Sequence, residues 1–178
     1  PGVRRHQSAD RGIRQHGGFR NEQVGPLLDA SAITIRTVGD VAPQSGGISL
    51  PDEAYYREET HAEVRSKLVA HIERMFDLAG INDGANHARR IMELETEIAS
   101  YHWDTVRSRD AVLTFNKKTF QEIAALAAPF NWHLWADNAG VPRSVLDSIV
   151  IAQPDFIESM GKLFADFDLE KWRSWLTW

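Results

Sequence analysis

The side chains in this sequence that could hold a metal or move a proton are histidines and carboxylates, since it has seven His and no Cys. A helix-borne zinc peptidase centre needs His-Glu-x-x-His, because residues four apart project both imidazoles from one face while the intervening Glu polarises the water. That motif does not occur. The nearest approach, His71-Ile-Glu-Arg-Met75, has neither the adjacent Glu nor the second His. His61, His71, His87 and His102 are never four apart, so local zinc chelation is not expected. P-loop, Gly-x-Gly-x-x-Gly, Gly-x-Ser-x-Gly and EF-hand patterns are missing as well. One carboxylate stands out. Glu95 falls between Met92 and Ile98 on an apolar helical stripe, and a buried carboxylate needs a partner. His102 lies about 10 Å further along a helix axis, too far to share one ion with Glu95 in a metal or acid/base pair. A guanidinium can satisfy a carboxylate bidentately, so a structural ion pair drawing on Arg107, Arg109 and the adjacent Asp110 is the expectation.

The elements that must position these residues are helical. Ser49-Leu-Pro-Asp-Glu-Ala-Tyr-Tyr56 reads as a helix start, with Ser49 as N-cap and Pro51, Asp52 and Glu53 in the first turn. From His61 to Ala79 the apolar residues Val64, Leu68, Ile72, Met75, Phe76 and Ala79 form one stripe, ended by Gly80 in the left-handed position. Ala85 to about Val106 repeats the pattern with Ala88, Ile91, Met92, Ile98 and Ala99, and the short intervening loop predicts an antiparallel hairpin. Thr119-Phe-Gln-Glu122 is a capping box that opens a helix to about Ala127, closed by Pro129. Phe130, Trp132 and Trp135 form an aromatic cluster, expected in the core. Ser148 to Ala152 is β-branched and apolar, the persuasive strand of the body. Pro154 opens a helix with a stripe through Phe156, Ile157, Met160, Leu163, Phe164 and Phe167. Asp168 caps a last helix carrying Trp172, Trp175, Leu176 and Trp178. That helix has no stop signal, so its Trp face is expected to meet a partner surface, and the polypeptide reads as cut there. Pro1 in place of Met reads the same way at the other end. The fold class is therefore mainly α: an antiparallel helical domain with one or two short strands.

Composition sets the limits of function. With 178 residues, 43% apolar, 25% charged and a formal net charge of −5, the chain is an ordinary globular domain and lacks the cationic footprint of a nucleic-acid binder. No apolar run is long enough for a membrane span, and no signal-peptide core stands at the N-terminus. The lack of Cys fits a reducing compartment, but equally a bacterial exported protein, so location stays open. Residues 1–44 differ from the rest. They carry six Arg, no Lys and four acids, whereas residues 45–178 hold all six Trp and a net charge of −7. Within them only Ala32 to Val38 alternates as a strand would. Residues 1–44 are read either as a loose arm carrying one strand or as a translation in the wrong frame, joined near Pro43 to Gly47.

The ordered motifs resemble a known family. Gly46-Gly-Ile-Ser-Leu-Pro-Asp-Glu-Ala-Tyr-Tyr56, with Leu50, Pro51, Tyr55 and Tyr56, is similar to the Gly-Leu-Pro-x-x-x-Tyr-Tyr segment of neprilysin-like zinc metallopeptidases, peptidase family M13. Leu94-Glu-Thr-Glu-Ile-Ala99 looks like the family's Glu-Thr-x-Leu-Ala helix. Arg109-Asp110 with Thr114-Phe-Asn116-Lys117 resembles its Arg-Asp followed by Tyr-Asn-Lys. Phe130-Asn-Trp132, Gln153-Pro-Asp-Phe156 and the terminal Trp-x-x-Trp-Leu match further family elements in order, over residues 45–178. The resemblance implies a partial N-terminal helical domain that caps a thermolysin-like catalytic domain and restricts entry to oligopeptides. It also implies zinc in the full-length parent, held by a catalytic half with no counterpart here, so no catalytic residue transfers. Glu95, Arg107, Arg109, Asp110 and Asn116 are scaffold candidates on this view. Trp172, Trp175 and Trp178 would face the catalytic half. The competing class is a non-enzymatic helical module that docks a partner through the same Trp-rich face.

Overall fold

The computed structural model describes residues 36–37, 47–128, 130–138, 140, 142–166 and 168–178. The two readings of residues 1–44 therefore lie outside the described residues, apart from strand β1 (Arg36–Thr37), as do Pro129 and Phe167. The body runs α1 (Ala54–Arg57), a 3-10 turn, α2 (Ala62–Leu78), α3 (Gly84–Tyr101), a second 3-10 turn, β2 (Asn116–Lys118), α4 (Phe120–Leu126) and α5 (Trp132–Asn138). Then follow α6 (Arg143–Leu146), β3 (Ile149–Ile151), α7 (Pro154–Ala165) and α8 (Leu169–Thr177). The domain is mainly α, as its apolar periodicity predicts; its strands are three where one or two were expected, and they form one small antiparallel sheet. None of its described helices is long and apolar enough to cross a membrane.

Helix α3 is the axis of the molecule. Ala88 and Ile91 pack against Ile72 and Phe76 of α2, while Leu94 and Ile98 enter the main core with Trp132, Trp135, Ile149, Met160 and Trp172. Burying opposite sides of one helix requires an apolar face wider than a single stripe, and α3 supplies it. The α2 stripe is narrower than its spacing suggests. Leu68, Ile72 and Phe76 touch the core, but Val64 and Met75 are exposed, although α1 packs on α2 beside α3. The α2–α3 turn is as expected. Gly80 at φ 71° lets its N–H reach the Asp77 carbonyl and the Ile81 N–H reach that of Phe76, both about one turn back, which satisfies two carbonyls at the helix end.

Helix α3 stops at Tyr101, earlier than the expected Val106. His102 turns to an extended backbone, its ring packs on Phe156 at 4.5 Å, and the Trp103 N–H donates to the Gln153 side chain at 3.0 Å. Tertiary partners on α7 thus replace the next helical turn. Strand β3 lies where the β-branched run predicts, central in a three-stranded sheet ordered β1-β3-β2, all antiparallel. β2 departs from the expected strands, since Asn-Lys-Lys has no strand composition. It is paired to β3 through Asn116↔Ile151 and Lys118↔Ile149. The Thr119 capping box and the Asp168 N-cap both form as their motifs require.

Helix α7 meets the end of α4 at a glycine. A Cβ on Gly161 would stand 2.8 Å from both Cα and Cβ of Ala127, closer than packed carbons approach. We expect Gly161→Ala to lower stability by about 1–3 kcal/mol through forced separation of these segments. Thermal unfolding of the variant measures it, and an unchanged or raised Tm would show that the contact is loose.

Candidate functional site

The most constrained polar group lies on α3. Glu95 is only 1% exposed, among the most buried side chains described, and its oxygens accept three hydrogen bonds. Ser49 donates its N–H to Oε2 at 3.0 Å and its Oγ–H to Oε1 at 2.7 Å, and the Tyr56 hydroxyl donates to Oε2 at 2.5 Å. Tyr56 in turn accepts from the Leu50 N–H at 3.0 Å, and Ser49 Oγ accepts from the Trp178 indole N–H at 3.0 Å. Each hydroxyl passes on one hydrogen bond and receives another, so the donors polarise one another. Segment 47–56 is thereby tied to α3 through Ser49 and Tyr56, and through Ser49 also to Trp178, the residue that follows α8.

This corrects two expectations. Ser49 does not cap α1, which starts later, at Ala54 behind Glu53. Its hydroxyl is committed to Glu95 instead, because proline and two acids separate it from the helix while the carboxylate is directly opposite. Nor do Arg107 and Arg109 satisfy Glu95. The early end of α3 carries both away from it. Arg107 pairs with Asp155 at 3.1 Å and lies over the Trp103 ring at 3.7 Å, a cation–π arrangement. Arg109 is exposed. Asp110 accepts from the N–H groups of Val112 at 2.8 Å and Leu113 at 3.1 Å, fixing the turn. Asn116 donates to the carbonyls of Leu113 at 2.6 Å and Ile151 at 3.1 Å, stitching that turn to β3. The five polar candidates therefore divide into a Glu95 network and a separate surface turn.

Of the family-like segment, Leu50 and Tyr56 are buried, Tyr55 stacks on His61 at 4.0 Å, and Pro51 is exposed. Burial, and next the Glu95 carboxylate, hold the Tyr56 phenol well above its ordinary pKa of about 10. A phenol with a raised folded pKa adds stability that is whole below the unfolded pKa and is lost as pH rises from about 10 toward the folded value. We expect unfolding free energy to fall above about pH 10, and Tyr56→Phe to flatten that alkaline limb, as read by urea titrations across pH. An identical limb in the variant would remove Tyr56 as its source.

The terminal aromatics behave differently from one another. Trp172 is 2% exposed and stacked on Phe164 at 4.9 Å, so it belongs to the core and not to a docking face. The reason is that α8 lies along α3, turning this position inward. Trp175 is half-buried between two clusters, whereas Leu176 and Trp178 are exposed. The histidines are dispersed: His87 contacts Ser174 Oγ at 3.0 Å, His71 stands edge-on to Trp178, and His102 packs on Phe156. Among the described residues no three His, Asp or Glu side chains converge to hold a metal ion. Sequence reasoning missed Ser49 as a partner of Glu95. The signal was the adjacency of Ser49 and Tyr56 in one short segment, but nothing in it specified which helix they meet.

Residues 37–178 match the family model described as Peptidase family M13. No curated protein matches the chain. Among solved structures it resembles the zinc metalloprotease Zmp1 of Mycobacterium tuberculosis in the open state, at 40% identity over 75% of this chain and 21% of that one, with TM-score 0.71. The inhibitor complex of Zmp1 matches at 39% identity over 73% and 20%, TM-score 0.69. The partial open state matches at 39% over 74% and 20%, TM-score 0.63. The chain thus spans about a fifth of the length of these structures.

Proposed function

Since the chain belongs to peptidase family M13, over its N-terminal domain, we propose that it forms the helical cap of a zinc metalloendopeptidase acting on oligopeptides. The cap restricts access to a catalytic portion that holds the zinc. The observation that carries this reading is the likeness to the zinc metalloprotease Zmp1, whose chain is about five times longer than the part matched here. The described residues do not fit a zinc site: their histidines are spread over separate contacts and no donor cluster forms. On this reading the metal belongs to the catalytic portion, as the likeness to a zinc metalloprotease suggests, and this chain's contribution is shape. A rigid cap suits that role, and the Glu95 network and the sheet both tie loops to the helices. Leu176 and Trp178 are the surface offered to the catalytic portion, in place of the full Trp172–Trp178 face.

Expressing the complete reading frame of the gene tests the proposal. The product is expected to retain zinc on dialysis and to cleave fluorogenic oligopeptides in a chelator-sensitive way, while residues 1–178 alone do neither. A full gene product that binds no zinc and cleaves no peptide would leave the interaction module as the better account.

A further inference from the structure

We propose that the cavity beside Glu95 is a pocket for the guanidinium of an arginine side chain. Three observations lead there. First, Glu95 is almost fully buried, yet its three donors, from Ser49 and Tyr56, are all neutral. Among the described residues no Lys, Arg or His forms an ion pair with it, and two cations of the α3 and α8 helices are engaged elsewhere, Lys171 with Glu93 at 3.2 Å and Arg90 with Glu170 at 3.8 Å. A buried carboxylate without a cation carries a desolvation cost that a cation would offset. Second, a carboxylate offers about four acceptor positions, so one beyond the three in use can take a further donor.

Third, a cavity of about 310 Å³ opens at this point, lined by Ser49, Glu95, Trp175, Leu176 and Trp178. Its size is at the small end of the roughly 300–1,000 Å³ range of ligand pockets, which suits one side chain better than a larger ligand. A carboxylate and two indoles in one lining define the chemistry of the occupant. Cations are attracted to indole faces, and Glu95 repels an anion while a neutral group leaves its charge uncompensated. Guanidinium is more weakly hydrated than ammonium and stacks on aromatic faces, so arginine fits better than lysine. This inference stands on the carboxylate and the cavity and does not depend on the peptidase reading.

The test titrates residues 1–178 with N-acetyl-arginine amide, following the Trp178 indole N–H resonance by NMR. N-acetyl-citrulline amide, of the same shape but neutral, is the control. The arginine ligand is expected to shift the resonance saturably, and the citrulline ligand to leave it in place. Glu95→Gln should weaken the arginine response by about tenfold or more. If that variant does not fold, Trp178→Leu, read at the Trp175 indole, should weaken it while keeping the Glu95, Ser49 and Tyr56 bonds. An equal response to citrulline, or full affinity in the folded variants, overturns the proposal. Repeating the titration on the complete gene product separates the two sources of the guanidinium. Retained binding marks a pocket for a free peptide, and silence with an arginine of the protein itself protected at the indole marks an internal occupant.

Discussion

Glu95→Ala is expected to destabilise the domain by about 3 kcal/mol, measured as the shift of the urea unfolding midpoint at unchanged slope. The size follows from what the alanine leaves behind. The Tyr56 hydroxyl is buried and loses its only acceptor, which costs about 1–3 kcal/mol by itself. Ser49 is exposed, so water can replace part of what its two donors lose, and the total stays below a simple sum. Glu95→Gln keeps one carbonyl acceptor but turns an amide toward a donor, so it should fall between wild type and alanine. The order Ala, Gln, wild type is the signature of a hydrogen-bonded carboxylate. A loss under about 0.5 kcal/mol for alanine would mean that segment 47–56 is held by apolar contact alone.

Trp172→Ala should be at least as damaging, at about 3–5 kcal/mol, because it empties a site enclosed by Phe164 and the main core. Trp178→Ala, three residues from the half-buried Trp175 and itself 38% exposed, should cost about 1 kcal/mol. The two substitutions separate core from surface on one helix. Equal and small effects would return Trp172 to the docking face that its sequence suggests. A large Trp172 effect with a small Trp178 effect leaves only the outer edge of α8 for a partner.

Most elements of the fold are readable without coordinates. Leu68, Ile72 and Phe76 recur at helical spacing, and Gly80, Thr119 and Asp168 mark ends through local backbone chemistry, so these assignments hold. The site was less legible. The burial of Glu95 follows from its place among Met92, Leu94 and Ile98, but its partners do not. Ser49 lies 46 residues away in the chain, and Trp178 lies 129 residues from Ser49. The nearby arginines are closer in sequence and chemically stronger candidates, and they lost because α3 ends at Tyr101.

What the sequence determined by itself is therefore local: helix periods, caps, the β-branched strand, and the lack of a zinc-binding motif. The family followed from the order of short motifs, each carrying its own residues. What only the tertiary structure decided is which surfaces meet. An apolar stripe gives a helix a buried side, but the identity of the neighbour depends on how all the stripes pack at once. That choice turned Trp172 inward, brought Ser49 to Glu95, and paired the polar Asn116–Lys118 segment with β3.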